Sequence, residues 1–286
     1  MVHCLKKTGR DAMSDTQTEA KTLFSVDEAS IATLTLNNPK TLNALSPQML
    51  EELNAHLNDS ALNPDIRVLV LTGAGRGFCS GADLSPQPGA RKPETPEERG
   101  EQTRQRMHNG FNLVAKRLIN LPFPTIARVN GVAAGAGYGL ALAADLTIAA
   151  ESAKFFLVFT NQLGLVPDVG ASWHAPRALG RSRAMAAAFF GEKMSAEDAE
   201  KYGLIWQCVA DDALDDTVNE VATRLANGPT KAYPQVRKLF DMASTQDIHA
   251  QLDLEAEIQP RLAATEDYVE GVRAFLQKRK PEFKGR

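Results

Sequence analysis

Two short stretches near the start of the described pattern, Thr22–Val26 and Ile31–Leu36, read as strands, with Asp27-Glu28-Ala29-Ser30 as the turn between them. Ser46-Pro47 then opens a helix: a capping hydroxyl, proline at the first helical position, and Leu50, Leu53 and Leu57 on one face. Arg67–Thr72 is apolar without alternation and ends at Gly73, which predicts a strand covered on both faces, as in a parallel sheet. A proline-rich segment, Ser85–Pro96, precedes a charged stretch predicted to form an amphipathic helix through Leu118. Thr125–Asn130 is the next strand, and it runs into the small-residue segment GVAAGAGYGLALAAD. Leu146–Ala149 and Phe155–Phe159 predict further strands, and helical spacing dominates from Ser172, with a capping-box-like start at Ser195-Ala-Glu-Asp. Strands alternating with helices, then a helical tail, predict an α/β fold with a core over 20–209 and a helical region over 210–286. Residues 1–19 are polar and carry no hydrophobic period, so they are expected to form an extension without fixed structure, either a transit peptide or residues upstream of a start at Met13.

Composition narrows the function classes. A net charge of −3 over 286 residues and a pI near 6.0 do not suit DNA or an anionic membrane surface. No apolar run is long enough to span a bilayer. The three cysteines, Cys4, Cys79 and Cys208, are odd in number and lack metal-ligand spacing, which fits a reducing cytoplasm and predicts neither a disulfide framework nor a metal site.

The chemistry is concentrated in three stretches. GAGRGFCSGAD (Gly73–Asp83) and NGVAAGAGYG (Asn130–Gly139) each follow a predicted strand. Both have the spacing G-x-G-x-G, not the G-x-G-x-x-G of a dinucleotide site, and no Gly-Lys-Ser/Thr follows for a P-loop. Small residues after two strands also permit close backbone approach to a ligand, and two N–H groups converging on one oxygen make an oxyanion hole. For the second stretch taken alone, tight packing explains the small residues equally well. The third stretch is LGLVPDVGASW (Leu163–Trp173), where Asp168 is the lone acid among apolar neighbours. It reads either as a turn, from Pro167-Asp168 and Gly170, or as a proton carrier whose pKa is raised by apolar surroundings.

Taken together, the order and spacing of these stretches resemble the crotonase (enoyl-CoA hydratase/isomerase) superfamily from about Leu23 to Arg286. Asn38-Pro39 with Asn43-Ala44-Leu45 is similar to that family's early motif, Phe78–Asp83 to its first oxyanion loop, and Asn130–Gly137 to its second. Leu163–Trp173, Cys79-Ser80-Gly81 and Ile205-Trp206-Gln207 resemble the branch that isomerises ring-1,2-epoxyphenylacetyl-CoA. The resemblance implies a spiral β/α core with a C-terminal helical region, and homotrimers or dimers of trimers. It implies a thioester oxygen held by the N–H groups of Ser80 and Ala136, with Asp168 moving the proton. Cys79, Gly81, Ala82, Asp83, Gly135 and Gly137 are expected to form the substrate-binding surface around them, with Asp83 bracing the first loop and Cys79, which has no histidine close in sequence, a small buried filler and not a nucleophile. Tyr138 and Asn161 are expected to line the acyl pocket or simply to pack, Phe283 to lie near adenine and Lys284 near the CoA phosphates. CoA is part of the substrate, so no separate cofactor is implied. The two glutamates of the family's hydratases fall at Gly139 and Thr160, neither acidic. The implied activity is acyl-CoA isomerisation. The alternatives are a hydratase with displaced acids, or a non-catalytic or RNA-binding member of the fold.

Overall fold

The computed structural model describes residues 19–86 and 91–286. The expectations for Cys4 and residues 1–18, and for the middle of the proline-rich segment, lie outside the described residues.

β1 (Thr22–Val26) and β2 (Ile31–Leu36) pair antiparallel, and the Asp27 carboxylate accepts from the N–H groups of Ala29 and Ile31 to close the turn. α1 (Pro47–Leu62) begins where the Ser46 hydroxyl accepts from Met49 N–H, and it buries Leu50, Leu53 and Leu57. β3 (Val68–Gly73) is buried along its whole length and returns into β4 (Gly77–Cys79). The helix expected from Pro96 through Leu118 forms with an interruption: α2 (Pro96–Arg106), one wide π turn over Met107–Phe111, then α3 (Asn112–Ile119). Gly110 lies in that turn, and a Cβ there would meet Leu50 Cδ1 of α1 at 3.1 Å.

Next come β5 (Thr125–Val129), β6 (Val132–Ala134), α4 (Ala136–Leu142), β7 (Leu146–Ala150) and β8 (Lys154–Phe156). The strand expected over Phe155–Phe159 stops at Phe156, because the chain turns at Val158 into the short helix α5 (Phe159–Leu163). α6 (Ala171–Leu179), α7 (Arg181–Phe190), β9 (Met194–Ser195), α8 (Ala196–Lys201) and β10 (Gln207–Val209) complete the core. α9 (Leu214–Ala226), α10 (Tyr233–Ala243), α11 (Ile248–Ala263) and α12 (Glu266–Leu276) make up the helical end.

The strands fall into two sheets, ordered β1-β2-β3-β5-β7-β10 and β4-β6-β8-β9. Three successive passes of the chain, β3–β4, β5–β6 and β7–β8, each give one strand to the larger sheet and the next to the smaller, which makes a spiral. The unbroken apolar run of β3 follows from its two covers. Val68 and Val70 pack with Leu214, Val218 and Ala222 of α9, while Leu69 and Leu71 belong to the cluster holding Leu53, Leu57 and Leu118. The helical end thus begins with a helix that covers the sheet itself.

Candidate active site

In the smaller sheet β4, β6 and β8 run parallel, so their C-terminal ends open on the same side. Crevices beyond the carboxyl ends of parallel strands are where α/β folds bind ligands. The first glycine-rich loop leaves β4 there and the second leaves β6. The segment carrying Asp168 follows β8 through α5.

The first loop is held by the segment just before α1. Ser80 N–H donates to Leu42 O (2.9 Å) and the Ser80 hydroxyl to Thr41 O (2.8 Å). Leu45 N–H donates to Gly81 O (2.8 Å), and Asp83 N–H to Leu45 O (3.2 Å). Asn43, fully buried, donates through Nδ2 to Ala74 O (3.0 Å) and Gly77 O (2.8 Å), and its Oδ1 accepts from Asn38 N–H (2.8 Å). Asn130 adds a second brace, its Nδ2 donating to Gly73 O (2.9 Å) and Gly75 O (2.7 Å). The expectation that Ser80 supplies the first oxyanion donor is therefore corrected: its N–H is spent on Leu42. The group turned outward is two residues on. Ala82 stands in a parallel bridge with Leu45, a geometry in which its neighbours bond to Leu45 and its own N–H points away.

Ala136 opens α4, so its N–H has no carbonyl to bond within the helix. Neither the Ala82 nor the Ala136 N–H has a hydrogen-bond partner among the described residues. Gly81 brings the two loops together. Its φ is +107°, and a Cβ there would stand 3.5 Å from Ala136 N, at the mouth of the donor pair. Gly137 lets α4 lie directly on Cys79, since a Cβ would fall 2.3 Å from Cys79 O. Cys79 is fully buried and burial pushes its thiol up to about 12, so it fills space and is not a nucleophile. Asp83 accepts from Ser85 N–H (2.9 Å) and the Ser85 hydroxyl (2.5 Å), bracing the exit of the loop.

Asp168 sits at the start of a turn in which Ala171 N–H donates to Asp168 O (2.9 Å). Its Oδ1 is buried and has no hydrogen-bond partner. Burial raises its carboxyl to about 6. A half-buried carboxyl with one oxygen buried and unpaired suits a general base near neutrality.

The remaining expected residues divide. The Tyr138 hydroxyl is also buried and unpartnered, but its ring packs edge-on against Phe155 (6.3 Å) inside the core, and burial pushes the phenol up. Asn161 is exposed, and its Nδ2 donates to Phe190 O (2.8 Å), tying α5 to the end of α7 instead of lining a pocket. The Thr160 hydroxyl is spent on Leu165 O (2.9 Å). His174 packs against Trp173, and burial together with the Arg177 cation lowers it to about 4. Phe283 and Lys284 lie apart from the loops. Phe283 lines a cavity of about 440 Å³ with residues of α11 and α12, and none of the oxyanion-loop residues lines it. Lys284 N–H and Gly285 N–H donate to the buried Asp267 carboxylate (2.6 and 2.9 Å), and Arg67 donates to Phe283 O (3.2 Å), so this segment is anchored within its own chain.

Among the described residues, no group of three or more His, Cys, Asp or Glu could hold a metal ion, and no helix is long and apolar enough to cross a membrane. Sequence reasoning singled out neither the outward-facing Ala82 N–H nor the Asn43 clamp. The signal for Asn43 was available in the Asn38–Leu45 motif, where an amide between apolar neighbours marks a buried hydrogen-bonding group.

Paired backbone donors at the ends of adjacent strands, on a two-sheet spiral, belong to the enzymes that act on acyl-CoA thioesters in the crotonase superfamily. The chain belongs to the enoyl-CoA hydratase/isomerase family, whose model matches residues 27–286. It is 43% identical over 264 residues to the 1,2-epoxyphenylacetyl-CoA isomerase of Escherichia coli (strain K12), covering 92% of this chain and 98% of that one. It is 42% identical over 256 residues to a Rhodobacter capsulatus protein named "Probable enoyl-CoA hydratase", covering 90% and 95%. The crystal structure of an enoyl-CoA hydratase from Bacillus anthracis superposes with a TM-score of 0.82 at 33% identity, covering 92% and 99%.

Proposed function

We propose that the protein is an acyl-CoA isomerase that moves one proton with one carboxylate. The observation that carries this reading is Asp168, whose buried Oδ1 has no hydrogen-bond partner and whose carboxyl is raised to about 6. The positions at which the family's hydratases carry glutamates are a glycine and a threonine whose hydroxyl is already engaged.

With a 3-enoyl-CoA, the Asp168 carboxylate removes a proton from C2. The C–H electron pair moves into the thioester, and the resulting enolate oxygen is held by the N–H groups of Ala82 and Ala136. The protonated Asp168 then returns the proton to C4, leaving the double bond between C2 and C3. With a 1,2-epoxyphenylacetyl-CoA, Asp168 takes a proton from the carbon beside the thioester, the ring bond between the two epoxide carbons breaks as the ring expands to an oxepin, and the proton is returned to a ring carbon as a double bond moves out to the side chain. Both reactions leave the atom count unchanged, and no water enters the product.

Hydration is the second reading, favoured by relatives whose names state it, among them the Rhodobacter protein. One product screen tests both. The protein is incubated with 1,2-epoxyphenylacetyl-CoA, 3-hexenoyl-CoA and crotonyl-CoA, and products are followed by mass spectrometry and NMR. Isomerisation is expected with one of the first two. Turnover of crotonyl-CoA to the 3-hydroxy product, with the first two untouched, overturns the proposal.

A further inference from the structure

The helical end reaches into the core through an arginine. α10, α11 and α12 bury Ile258, Asp267 and Ala274 between them, and α10 contributes none of these. Yet the Arg237 side chain on α10 is 13% exposed, and all five of its N–H groups are engaged. Nε donates to Asp145 Oδ1 (2.5 Å), and Nη2 to Asp145 Oδ2 (2.6 Å) and Phe123 O (2.9 Å). Nη1 donates to Ile119 O (2.5 Å) and Leu121 O (2.8 Å). The start of β5 binds Asp145 as well. Asp145 Oδ2 accepts from the Thr125 N–H (2.8 Å) and hydroxyl (3.0 Å), and Asp145 N–H donates to Thr125 Oγ1 (2.9 Å).

This hub lies at the exit of α4. Asp145 is the third residue after Leu142, the last of that helix, and the Thr147 hydroxyl donates back to Ala141 O (2.9 Å). The entrance of the same helix is Ala136, which offers the second oxyanion donor. All seven residues of α4 are buried, and a helix of that length spans about 10 Å, so it shifts as a short rod. We infer that Arg237 is a positioning residue for the reaction: from the helical end it fixes the exit of α4, and through that rod the direction in which Ala136 N–H meets the thioester oxygen. The inference rests on the donor pair described above and extends the site to a helix that touches none of the reacting atoms. A group misplaced by about 1 Å forfeits on the order of 100-fold in rate, so a loose exit is felt at the entrance. A lysine at 237 keeps a charge for Asp145, but its three N–H groups sit on one atom and do not span three carbonyls and a carboxylate.

The test compares Arg237→Met, Arg237→Lys and Arg67→Met in the full chain, with folding checked by circular dichroism and thermal melting. Arg67 is the control. It anchors the helical end elsewhere, through Thr230 Oγ1 (3.0 Å), Gly228 O (2.6 Å) and Phe283 O (3.2 Å), and none of those partners lies on α4. Arg237→Met is expected to lower kcat for isomerisation about 100-fold with KM within about threefold, and Arg237→Lys about tenfold. A second readout follows the donor itself. With Asp168→Asn added to each protein, 3-hexenoyl-CoA isotope-labelled at the thioester carbonyl carbon stays bound unreacted, and its infrared C=O stretch falls as the donors polarise it. Arg237→Met should return the stretch most of the way to that of the free thioester, and Arg237→Lys part of the way. Arg67→Met should lower the melting temperature and leave the stretch unchanged. If Arg237→Met does not fold, Arg237→Lys carries the test. A native stretch and kcat in the folded Arg237 variants, or an equal loss in Arg67→Met, overturns the inference. No fall of the stretch in Asp168→Asn alone overturns the donor pair and the inference together. If the native protein isomerises nothing while the stretch responds to Arg237, the isomerase reading falls and the inference stands.

Discussion

The two halves of the candidate site are built on opposite terms. The glycine-rich loops offer backbone, held by Asn43, Asn130 and the Thr41–Leu45 segment, with the Ala82 N–H turned away from that brace. The Asp168 turn offers a single side chain, its buried Oδ1 unpartnered, beside Val169 in the left-handed region. The first half should tolerate side-chain changes and fail when a backbone donor or its brace is lost. The second should tolerate almost nothing at one atom, and should cost the fold something to keep.

Ala82→Pro is the sharpest way to break the first half, since it deletes an N–H and keeps the loop short. Activity should fall by about 1,000-fold, the upper range for one oxyanion donor. Ser80→Ala in the same assay should stay within about threefold, because it loses only a bond to Thr41 O worth about 1 kcal/mol. If the two variants are equally inactive, the donor assignment is wrong.

In the second half, Asp168→Asn should lose at least about 100-fold in rate, with deuterium exchange at C2 lost in step and acyl-CoA affinity nearly unchanged. The same variant should be more stable than the native protein at pH 8. Asp168 is raised in the fold from 3.8 to about 6, so the folded state holds its proton more tightly than the unfolded chain does. Its contribution is favourable while the group is neutral, below about pH 4, and is lost as pH rises through about 6. The gain in melting temperature should therefore vanish in acid. A variant less stable than native at pH 8 would show that the carboxylate has a partner in solution.

Asn43→Ala should cost about 2–3 kcal/mol by removing the side-chain partners of Ala74 O and Asn38 N–H and leaving Gly77 O only the longer Asn130 contact (3.4 Å), read as a lower denaturant midpoint. Activity should fall less than in Ala82→Pro, as the loop loosens without losing its donor. The smallest catalytic effect is expected outside the site. Phe240, Leu252 and Phe275 stand 75%, 53% and 83% exposed on α10, α11 and α12, more apolar surface than one chain covers. Light scattering should show an oligomer, and Phe240→Asp with Phe275→Asp should shift it toward monomer.

The elements legible in the sequence were those with a period or a strong cap: β1, β2, α1, β3, β5 and β7 stand where alternation, Ser46-Pro47 and apolar runs put them. β4 and β6 were hidden because three residues carry no period, and their signal is the tight return between sheets. At Gly131 a Cβ would fall 2.2 Å from Arg76 O. The site was legible as residue types in order, but not as bonds. Ser80 and Ala82 both lie in the same motif, and only the bridge to Leu45 distinguishes the engaged N–H from the free one. The strain at Val169 has no sequence signature, since nothing in Asp-Val-Gly announces a left-handed valine.

The Asn130 brace also bears on how the protein ages. Asn130 is followed by Gly131, and an asparagine before glycine closes most readily to a succinimide because no side chain hinders the attack. Hydrolysis would leave a carboxylate, an acceptor with no N–H to give, where Nδ2 now donates to Gly73 O and Gly75 O. Acceptor would face acceptor beneath the first loop. Stored protein should thus lose turnover in proportion to deamidation at Asn130, measured by peptide mapping, with the chain intact and its melting transition still cooperative.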